Sequence, residues 1–463
     1  KNSPMYAESS TESLSFKNLC GIIRLNVSTT QSDKKVRRII LSADQGMSGT
    51  ISNAATLASD GYIAAVTGTA GITLDCGESG VDITSTPTAF HIAVPENTYA
   101  ALNITVETTD GLSQTRTAKS GITVARSQIA DITISFNDLQ AVTNLSASAS
   151  ANCYIVPAAG DYKFRAVVKG NGYSDLAGIS KDTDAAGIAS AELVWATFNT
   201  TVAPAADELI KDIRYADGYV YFSTGDVYKE GNALVAIKDG SDNILWSWHL
   251  WFESDNLTAL AQTYPNSSYV VMDRNLGALA NCYSADNATD FGFAYQNGRK
   301  DPFMMSATRT SYTALGVLGT YTSSSGSSSV ANSILNPTVV FGTDSWGGSA
   351  DYWTASDKTI FDPCPPGWRV GPSDLWSASG FNATSFVPKD SDWGTYHGCV
   401  FNGEAWFPAT GDRWGASHNN TGSYIRVWTR GNGKALASNS GGSPNTGDGS
   451  NVGHGYNVRC VRE

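Results

Sequence analysis

The feature that most constrains the fold is a succession of short segments rich in Ile, Val and Thr, each bounded by Gly, Asp, Asn or Pro. Such segments are typical of β-strands, and turn signals such as Ser-Asp-Gly (59–61) and Thr-Asp-Gly (109–111) separate them. Helical periodicity is absent. The pattern predicts a β-sandwich over residues 14–137, with the strands IIRLNV, VRRIILSA, GYIAAV, AFHIAV, ALNITVET and ITISF.

A second β-sandwich is predicted over residues 138–254. Its strands lie in CYIV, DYKFRAVVKG, AELVWATF, IRYADGYVYFST, NALVAIKD and ILWSWHLWF. The segment from Lys238 to Asn243, between the last two strands, is expected to form a hairpin turn. In ILWSWHLWF, Trp246 and Trp248 alternate with polar residues, which predicts a strand buried on one face.

Residues 255–463 have a different composition, with eight of the twelve tryptophans, many glycines and few long β runs. This composition predicts a loop-rich α+β domain whose core is supplied partly by large aromatic side chains. The run TSSSGSSS (322–329) predicts a mobile loop, and the Gly/Ser/Asn-rich stretch 431–455 a second long loop, functional or disordered. Residues 1–13 are expected to be a flexible leader.

Charge and composition exclude several classes of protein. With 31 Lys and Arg against 43 Asp and Glu, the net charge is −12, which argues against a nucleic-acid-binding surface. No apolar run approaches the roughly 18 residues that a membrane helix needs. Abundant Ser, Thr, Asn and Gly with few charges favour a secreted or surface protein, whose targeting segment, if one existed, is expected to have been removed.

No catalytic or metal-binding motif is found. The histidines at 91, 249, 397, 418 and 454 lack a metal-ligand spacing, and neither a GxSxG elbow nor a GxxxxGK[ST] loop occurs. The acidic pairs Asp286/Asp290 and Asp390/Asp392 do not follow a calcium-loop pattern and are interpreted as solvated loop carboxylates. We therefore expect no enzyme, no metal and no cofactor.

Several N-terminal segments resemble a known family. LSFKNLCGIIRLNV, VRRIILSAD and TPTAFHIAVPENTYAALNITVETTDG resemble the N-terminal β-sandwich of Bacteroidales fimbrillins, the subunits of type V pili. ANCYIVPAAGDYKFRAVVKGNG and EGNALVAIKDGSDNILWSWHLW look like the second sandwich of fimbrillin-like surface proteins. The resemblance implies two transthyretin- or Ig-like sandwiches in a lipoprotein precursor that is exported to the cell surface and attached through the outer membrane.

The third region has its own resemblance. VVMDRNLGA, FAYQNGRKDPF, FDPCPPGWRVGPSDLW and GYNVRCVRE resemble the major paralogous domain of Bacteroidetes surface proteins, which is similar to the C-type-lectin-like and formylglycine-enzyme-like fold. The resemblance implies a fold and only weakly an activity. The redox or copper chemistry of formylglycine formation is not expected here, because no cysteine pair is placed for it.

The seven cysteines allow one preferred pairing. In Asp-Pro-Cys-Pro-Pro-Gly-Trp-Arg (362–369) the prolines fix a turn, Trp368 is expected to enter the core, and Cys364 is placed to be bridged. Cys460 in the last predicted strand is the preferred partner, with Cys282 and Cys399 as a second candidate pair. Other connectivities stay open.

One loop has the composition of a sugar-binding site, in which aromatic rings stack on sugar faces while amides and carboxylates bind hydroxyls. Its candidate ligand residues are Trp406, Asp412, Arg413, Trp414, His418 and Asn419. The alternative is that each tryptophan is a core residue.

The fimbrillin resemblance implies a function: an adhesin, a minor pilus subunit that other pilin subunits contact by β-strand exchange. Because the chain finishes in VRCVRE, which is expected to be locked into its own domain, the tip of the pilus is the expected position, with the C-terminal domain presented to a host or glycan ligand. The alternative is a non-pilus surface lipoprotein that binds glycans. The groove for the incoming strand is expected to be lined by Ile22, Ile23, Leu25, Val27, Ile39 and Leu41.

Overall fold

The structure is a computed structural model that describes residues 5–6, 17–18, 20–43, 47–50, 67–69, 71–100, 102–118, 121–285, 287–323, 330–342, 346, 350–353, 356–415, 417–431, 433–440, 443–449 and 451–463. Strands account for 45% of the described residues and helices for 5%. The mainly-β fold that the strand pattern predicts is confirmed. The chain divides into two compact units, residues 1–143 and 144–463.

The described part of unit 1 consists largely of short strands. They are β1 (Met5–Tyr6), β2 (Lys17–Asn18), β3 (Cys20–Ser28), β4 (Lys34–Ala43), β5 (Ser48–Thr50), β6 (Thr67–Thr69), β7 (Gly71–Asp75), β8 (Val81–Ile83), β9 (Thr88–Pro95), β10 (Asn97–Tyr99), β11 (Leu102–Thr108), β12 (Leu112–Thr117), β13 (Ile122–Val124), β14 (Ile129–Ser135) and β15 (Gln140–Ala141). The predicted strand GYIAAV (61–66) lies outside the described residues.

Two sheets enclose the core of unit 1. A six-stranded sheet has the order β15-β12-β11-β4-β7, with β8 also on β4, and a three-stranded sheet has the order β14-β3-β9. Strand β14 runs parallel to β3, whereas β9 is antiparallel to it. Buried and partly buried residues alternate along β3, and its buried residues share one apolar core with those of β4, as expected for strands with one face inward.

The strand β16 (Thr143–Asn144) contains the last residue of unit 1 and the first of unit 2, and the first half of unit 2 contains its longest strands. These are β17 (Cys153–Val156), β18 (Asp161–Arg165), β19 (Ser190–Thr197), β20 (Ile210–Ala216), β21 (Tyr219–Thr224), β22 (Gly231–Lys238) and β23 (Ile244–Phe252). They form the sheets β16-β18-β21-β20 and β17-β23-β22-β19, the second of which is extended by β27 (Leu318–Gly319). Strands β22 and β23 pair across the predicted hairpin turn.

The second half of unit 2 has shorter strands and long connections. Its further strands are β24 (Gln262–Thr263), β25 (Val270–Val271), β26 (Ala294–Gln296), β28 (Thr322–Ser323), β29 (Val339–Val340), β30 (Trp368–Val370), β31 (Phe386–Pro388), β32 (Gly398–Phe401), β33 (Ala405–Pro408), β34 (Asp412–Trp414), β35 (Ser417–Asn419), β36 (Tyr424–Trp428), β37 (Lys434–Asn439), β38 (Asn445–Gly449), β39 (His454–Val458) and β40 (Cys460–Arg462).

These strands form several small sheets around a seven-stranded one. The seven-stranded sheet has the order β35-β34-β39-β36-β37-β38, with β26 also on β39, and β40 lies in the sheet β24-β25-β40-β30. Among the described residues the α-helices are short, α1 (Val330–Leu335), α2 (Leu375–Ala378) and α3 (Trp393–Tyr396). No described helix is long and apolar enough to cross a membrane.

Strand β23 differs from its prediction, because both of its faces are buried. Trp246 and Trp248 pack in one apolar cluster, whereas Trp251, on the opposite face, packs in another together with Phe293 and Tyr456. Residues on both sides of position 254 thus share a core. The division of this part of the chain into domains 138–254 and 255–463 stays a prediction.

The Gly-rich stretch 431–455 also differs from its prediction as a long loop. Most of its described residues belong to β37 and β38, which extend the seven-stranded sheet beyond β36. The pattern is hard to recognise because the stretch is rich in glycine and asparagine, which are depleted in most strands.

Candidate functional site

A pocket of about 280 Å³ opens on unit 2 where three connecting segments meet. The first segment leads up to Asp290, the second follows Ser306, and the third is the C-terminal part of helix α3. We call this the Tyr283 pocket; its lining residues are Tyr283, Ala285, Asn287, Thr308, Arg309, Thr310, Gly394, Thr395 and His397.

Helix α3 and the residue after it form one wall. Asp392 caps the helix by accepting a hydrogen bond from the backbone N–H of Thr395 at 3.0 Å. His397 ends the helix in the left-handed conformation, with φ at 49°. Its Nδ1 donates to the carbonyl of Gly422 at 2.9 Å, which leaves Nε2 as the ring nitrogen available to a ligand.

Gly422 allows this wall to approach the next one. A Cβ at position 422 would lie 2.5 Å from the carbonyl oxygen of Arg309 and 3.2 Å from Nδ1 of His397, and the φ of Gly422 is +75°. Only glycine tolerates both the contact and the backbone conformation. The close approach fixes the width of the pocket between His397 and the segment that carries Arg309.

Arg309 supplies the charge of the pocket, and that charge is neutralised within the protein. Its guanidinium donates to Oδ1 of Asp290 at 2.6 Å and to the carbonyl of Ser284 at 2.7 Å. Burial raises the pKa of Asp290, and the hydrogen bonds from Arg309 and Trp406 oppose that rise. Because Arg309 and Asp290 are buried and carry opposite charges, this side of the pocket has little net charge.

Tyr283 provides an aromatic surface. Arg309 lies over its ring at 4.5 Å from the centroid, and the rings of Tyr396 and Trp406 meet it edge-on at 4.9 and 6.3 Å. These contacts leave the tyrosine ring little freedom. The ring is therefore a preorganised wall of the pocket.

Polar groups without protein partners line the remaining surface. The hydroxyl of Thr310 and the side-chain NH₂ of Asn287 have no hydrogen-bond partner among the described residues. The hydroxyl of Thr395 hydrogen-bonds to Asp392, and Oδ1 of Asn287 accepts from the hydroxyl of Thr289 at 2.9 Å. Together with Nε2 of His397 they offer hydrogen-bonding groups beside an aromatic ring. Such a site can bind a neutral ligand that carries many hydroxyl groups.

Of the predicted ligand residues, Trp406 lies behind the pocket. It is 4% exposed, its ring edge contacts Tyr283, and its indole N–H donates to Oδ2 of Asp290 at 2.5 Å. It can support the pocket wall without reaching the ligand.

Asp412, Arg413, His418 and Asn419 lie in the hairpin β34–β35. Asp412 is buried and accepts two hydrogen bonds from Asn420, each at 3.2 Å. Arg413 and His418 lie opposite each other and both donate to the carbonyl of Met304 at 2.8 Å. Asn419 is partly buried opposite Asp412.

Trp414 is the exception, because 48% of its side chain is exposed. Ten of the twelve tryptophans are buried and Trp393 is half-buried, so Trp414 is the most exposed of its type. Its ring stacks on His454 with centroids 4.8 Å apart and planes 14° apart. It offers a flat apolar surface on the seven-stranded sheet.

The residues predicted to line a strand-exchange groove lie inside unit 1. Ile23, Leu25, Val27, Ile39 and Leu41 are completely buried and Ile22 is partly buried. Strand β3 is paired on both edges, by β14 and β9, and β4 is paired by β11 on one side and by β7 and β8 on the other. In the described part of unit 1 these side chains form a closed core rather than an open groove.

Cys364 and Cys460 form a disulfide, which links the turn 362–369 to β40. The second candidate pair is not bonded: Cys282 is an exposed thiol and Cys399 a buried one. No group of three or more His, Cys, Asp or Glu residues among the described ones could hold a metal ion. The interpretation of Asp290 as a solvated loop carboxylate is wrong, because this residue is buried against Arg309.

Sequence reasoning missed the residues that line the pocket. Tyr283, Arg309 and His397 are far apart in the chain, and each stands in a segment without a periodic pattern. The one signal available is indirect: Asp290 and Trp406 belong to groups that the sequence singles out, and both contact the lining residues from behind.

Comparison with known proteins does not assign a family. No family model and no curated protein matches the sequence. Among solved structures, the chain is similar to SGBP-B of the mixed-linkage glucan utilization locus of Bacteroides ovatus, solved in complex with a mixed-linkage heptasaccharide, with 11% identity and a TM-score of 0.13. The match covers 65% of this chain and 58% of that one, which is less than two thirds of its length. At this TM-score the likeness is too low for any conclusion about fold or ligand.

Proposed function

We propose that this chain is a carbohydrate-binding surface protein and that the Tyr283 pocket holds a neutral sugar. The observation that supports this most is the pairing of a fixed aromatic ring with uncharged groups that lack protein partners, in a pocket of about 280 Å³. Small-molecule sites commonly combine an apolar wall with a few placed polar groups. A pyranose ring presents both an apolar face and hydroxyls.

The electrostatics favour a neutral ligand over an anionic one. Asp290 neutralises Arg309, and the net charge of the whole chain is −12. A phosphate or carboxylate ligand would need an unmatched cation in the pocket. A sugar needs only hydrogen-bond donors and acceptors, such as the hydroxyl of Thr310 and the side-chain NH₂ of Asn287.

The test is a glycan array probed with the full chain, followed by calorimetry on the sugars that bind. Tyr283→Ala is expected to weaken binding about tenfold or more, because it removes the aromatic wall. Thr310→Val keeps the shape of the side chain and removes its hydroxyl, and a loss of roughly threefold to tenfold is expected. The matched control is Tyr173→Ala, which truncates a tyrosine that is 68% exposed and does not line the pocket.

Unchanged affinity in Tyr283→Ala, with the fold intact by circular dichroism, would exclude this pocket as the sugar site. Surface location is part of the same proposal. Antibody staining of intact and permeabilised cells measures it, and staining that requires permeabilisation would contradict it.

A second candidate function is that of a pilus subunit with adhesive activity. The observation that favours it is that β9 and β14 form the outer strands of their sheet in the described part of unit 1, and that Ile129 at the start of β14 is 50% exposed. An outer strand with unpaired backbone groups can accept a strand from another subunit.

Polymer formation by the full chain, measured by light scattering and electron microscopy with and without the partner pilins of its source, tests this second candidate. Ile129→Lys places a charge at the outer strand and is expected to reduce assembly. Assembly that is unaffected by this substitution would rule out β14 as the acceptor edge.

A further inference from the structure

Tyr312 is an exposed aromatic residue with a fixed orientation. Its side chain is 48% exposed, and its ring stacks on that of His418, with centroids 4.2 Å apart and planes 14° apart. One face of the tyrosine is therefore covered. A stacked and exposed ring of this kind is a platform on which a further ring can pack.

His418 is itself held in place. Its Nε2 donates to the carbonyl of Met304 at 2.8 Å, and Arg413 donates to the same oxygen. Burial lowers the pKa of His418 to about 3, so the imidazole stays neutral under ordinary conditions. The imidazole of His418, on which Tyr312 stacks, is thus uncharged and fixed in position.

The turn that carries Tyr312 also builds the pocket. Ser306 and Thr308 both donate to the carbonyl of Ser311, at 3.0 and 2.8 Å, and the backbone N–H of Thr313 donates to Ser306 at 3.0 Å. Thr308, Arg309 and Thr310 of this turn line the Tyr283 pocket. Tyr312 follows Thr310 by two residues, so their Cα atoms are at most about 7 Å apart.

We propose that Tyr312 forms a second sugar subsite beside the Tyr283 pocket, so that the ligand is an oligosaccharide rather than a single sugar. One ring occupies the pocket, and the next ring along the chain stacks on the tyrosine. This inference rests on the carbohydrate-binding function proposed above and specifies the length of its ligand.

The experiment compares each sugar with its own disaccharide by calorimetry, using glucose and cellobiose, galactose and lactose, and mannose and mannobiose with the full chain. In the wild type the disaccharide of the bound sugar is expected to bind roughly fivefold to tenfold more tightly than the monosaccharide. Tyr312→Ala is expected to remove that gain and to leave monosaccharide affinity unchanged. Tyr312→Phe keeps the ring and is expected to keep the gain, as is the control Tyr173→Ala.

The outcomes separate this inference from the proposed function. If Tyr283→Ala abolishes binding but Tyr312→Ala keeps the full gain from monosaccharide to disaccharide, the subsite is wrong and the pocket stands. Equal losses for both ligand lengths in Tyr312→Ala would likewise overturn the subsite, because the residue would then act through the pocket. No binding of any of the six sugars by the wild type would overturn both.

Discussion

The indole N–H of Trp406 donates to Oδ2 of Asp290 at 2.5 Å, although the two residues are 116 positions apart in the chain. Arg309 donates to the other oxygen of the same carboxylate at 2.6 Å. Asp290 thus connects β33 to two of the segments that line the Tyr283 pocket.

The first prediction concerns Asp290→Asn. The substitution leaves the buried guanidinium of Arg309 without a counter-charge, and the loss of unfolding free energy is expected to be roughly 3–5 kcal/mol. Urea denaturation measures it. The control is Asp390→Asn, which affects an exposed ion pair with Lys389 and is expected to leave stability nearly unchanged. Similar losses in both variants would contradict the role of Asp290.

The second prediction separates two tryptophans that the sequence places in one candidate site. Trp406→Ala empties a buried position and is expected to cost roughly 3–5 kcal/mol of stability. Trp414→Ala removes an exposed ring, so stability is expected to change by less than about 1 kcal/mol.

If Trp414 contacts a long glycan, as the sequence predicts, Trp414→Ala lowers the affinity for a polysaccharide about fivefold. Thermal unfolding and affinity electrophoresis on immobilised polysaccharide measure the two effects. If the variant migrates as the wild type does, Trp414 does not contact the glycan.

The third prediction is a pH dependence of stability that originates at Glu253. Glu253, Asp255 and Asp273 all bind the one guanidinium of Arg274, at 2.6 to 2.9 Å. Burial, which Arg274 only partly offsets, raises the pKa of Glu253 from 4.5 to about 7. Because the folded state holds this proton more tightly than the unfolded state, the stability it contributes is complete below about pH 4.5 and is lost as the pH rises through about 7.

Glu253→Gln is therefore expected to lose less stability than the wild type between pH 4.5 and 7, by up to about 3 kcal/mol. Urea denaturation at a series of pH values measures this difference. Glu404→Gln, at an exposed position, is the control. Parallel pH profiles for the wild type and Glu253→Gln would show that another group dominates.

The fourth prediction concerns the Cys364–Cys460 disulfide, which joins residues 96 positions apart. A cross-link over a loop of this length restricts the unfolded chain, and its removal is expected to cost roughly 4–5 kcal/mol. Thermal unfolding with and without dithiothreitol measures the effect. The double variant Cys364→Ala/Cys460→Ala should unfold at a lower temperature and be insensitive to the reductant. If the melting temperature of the wild type is the same before and after full reduction, this prediction is wrong.

The strands that could be predicted are those with a local signal. IIRLNV alternates apolar and polar residues and is part of β3, and the polar turn from Lys238 to Asn243 joins β22 to β23. In both cases neighbouring residues carry the information. Strands β37 and β38 lack it, because their place in a sheet depends on β36, to which β37 pairs.

The candidate site was largely unpredictable for a physical reason. The burial of both faces of β23, and the meeting of Tyr283, Arg309 and His397, arise from contacts between distant segments. Contacts between residues that are far apart in the chain produce no periodic pattern in the sequence. Composition could indicate that aromatic and polar residues meet in this region, but it could not indicate which of them face solvent.

The positions of β39 and β40 have a consequence for biosynthesis. Residues 454–462 supply strands to the interior of two sheets, since β39 joins β34 to β36 and β40 joins β25 to β30. Neither sheet can be completed during translation until these residues have left the ribosome, whereas the described strands of unit 1 have all been synthesised by then. Unit 2 must therefore remain unfinished, with apolar surface exposed, until residues 454–462 have been synthesised. A nonsense mutation or proteolytic cut just before residue 454 would remove strands from the interior of two sheets instead of trimming an edge.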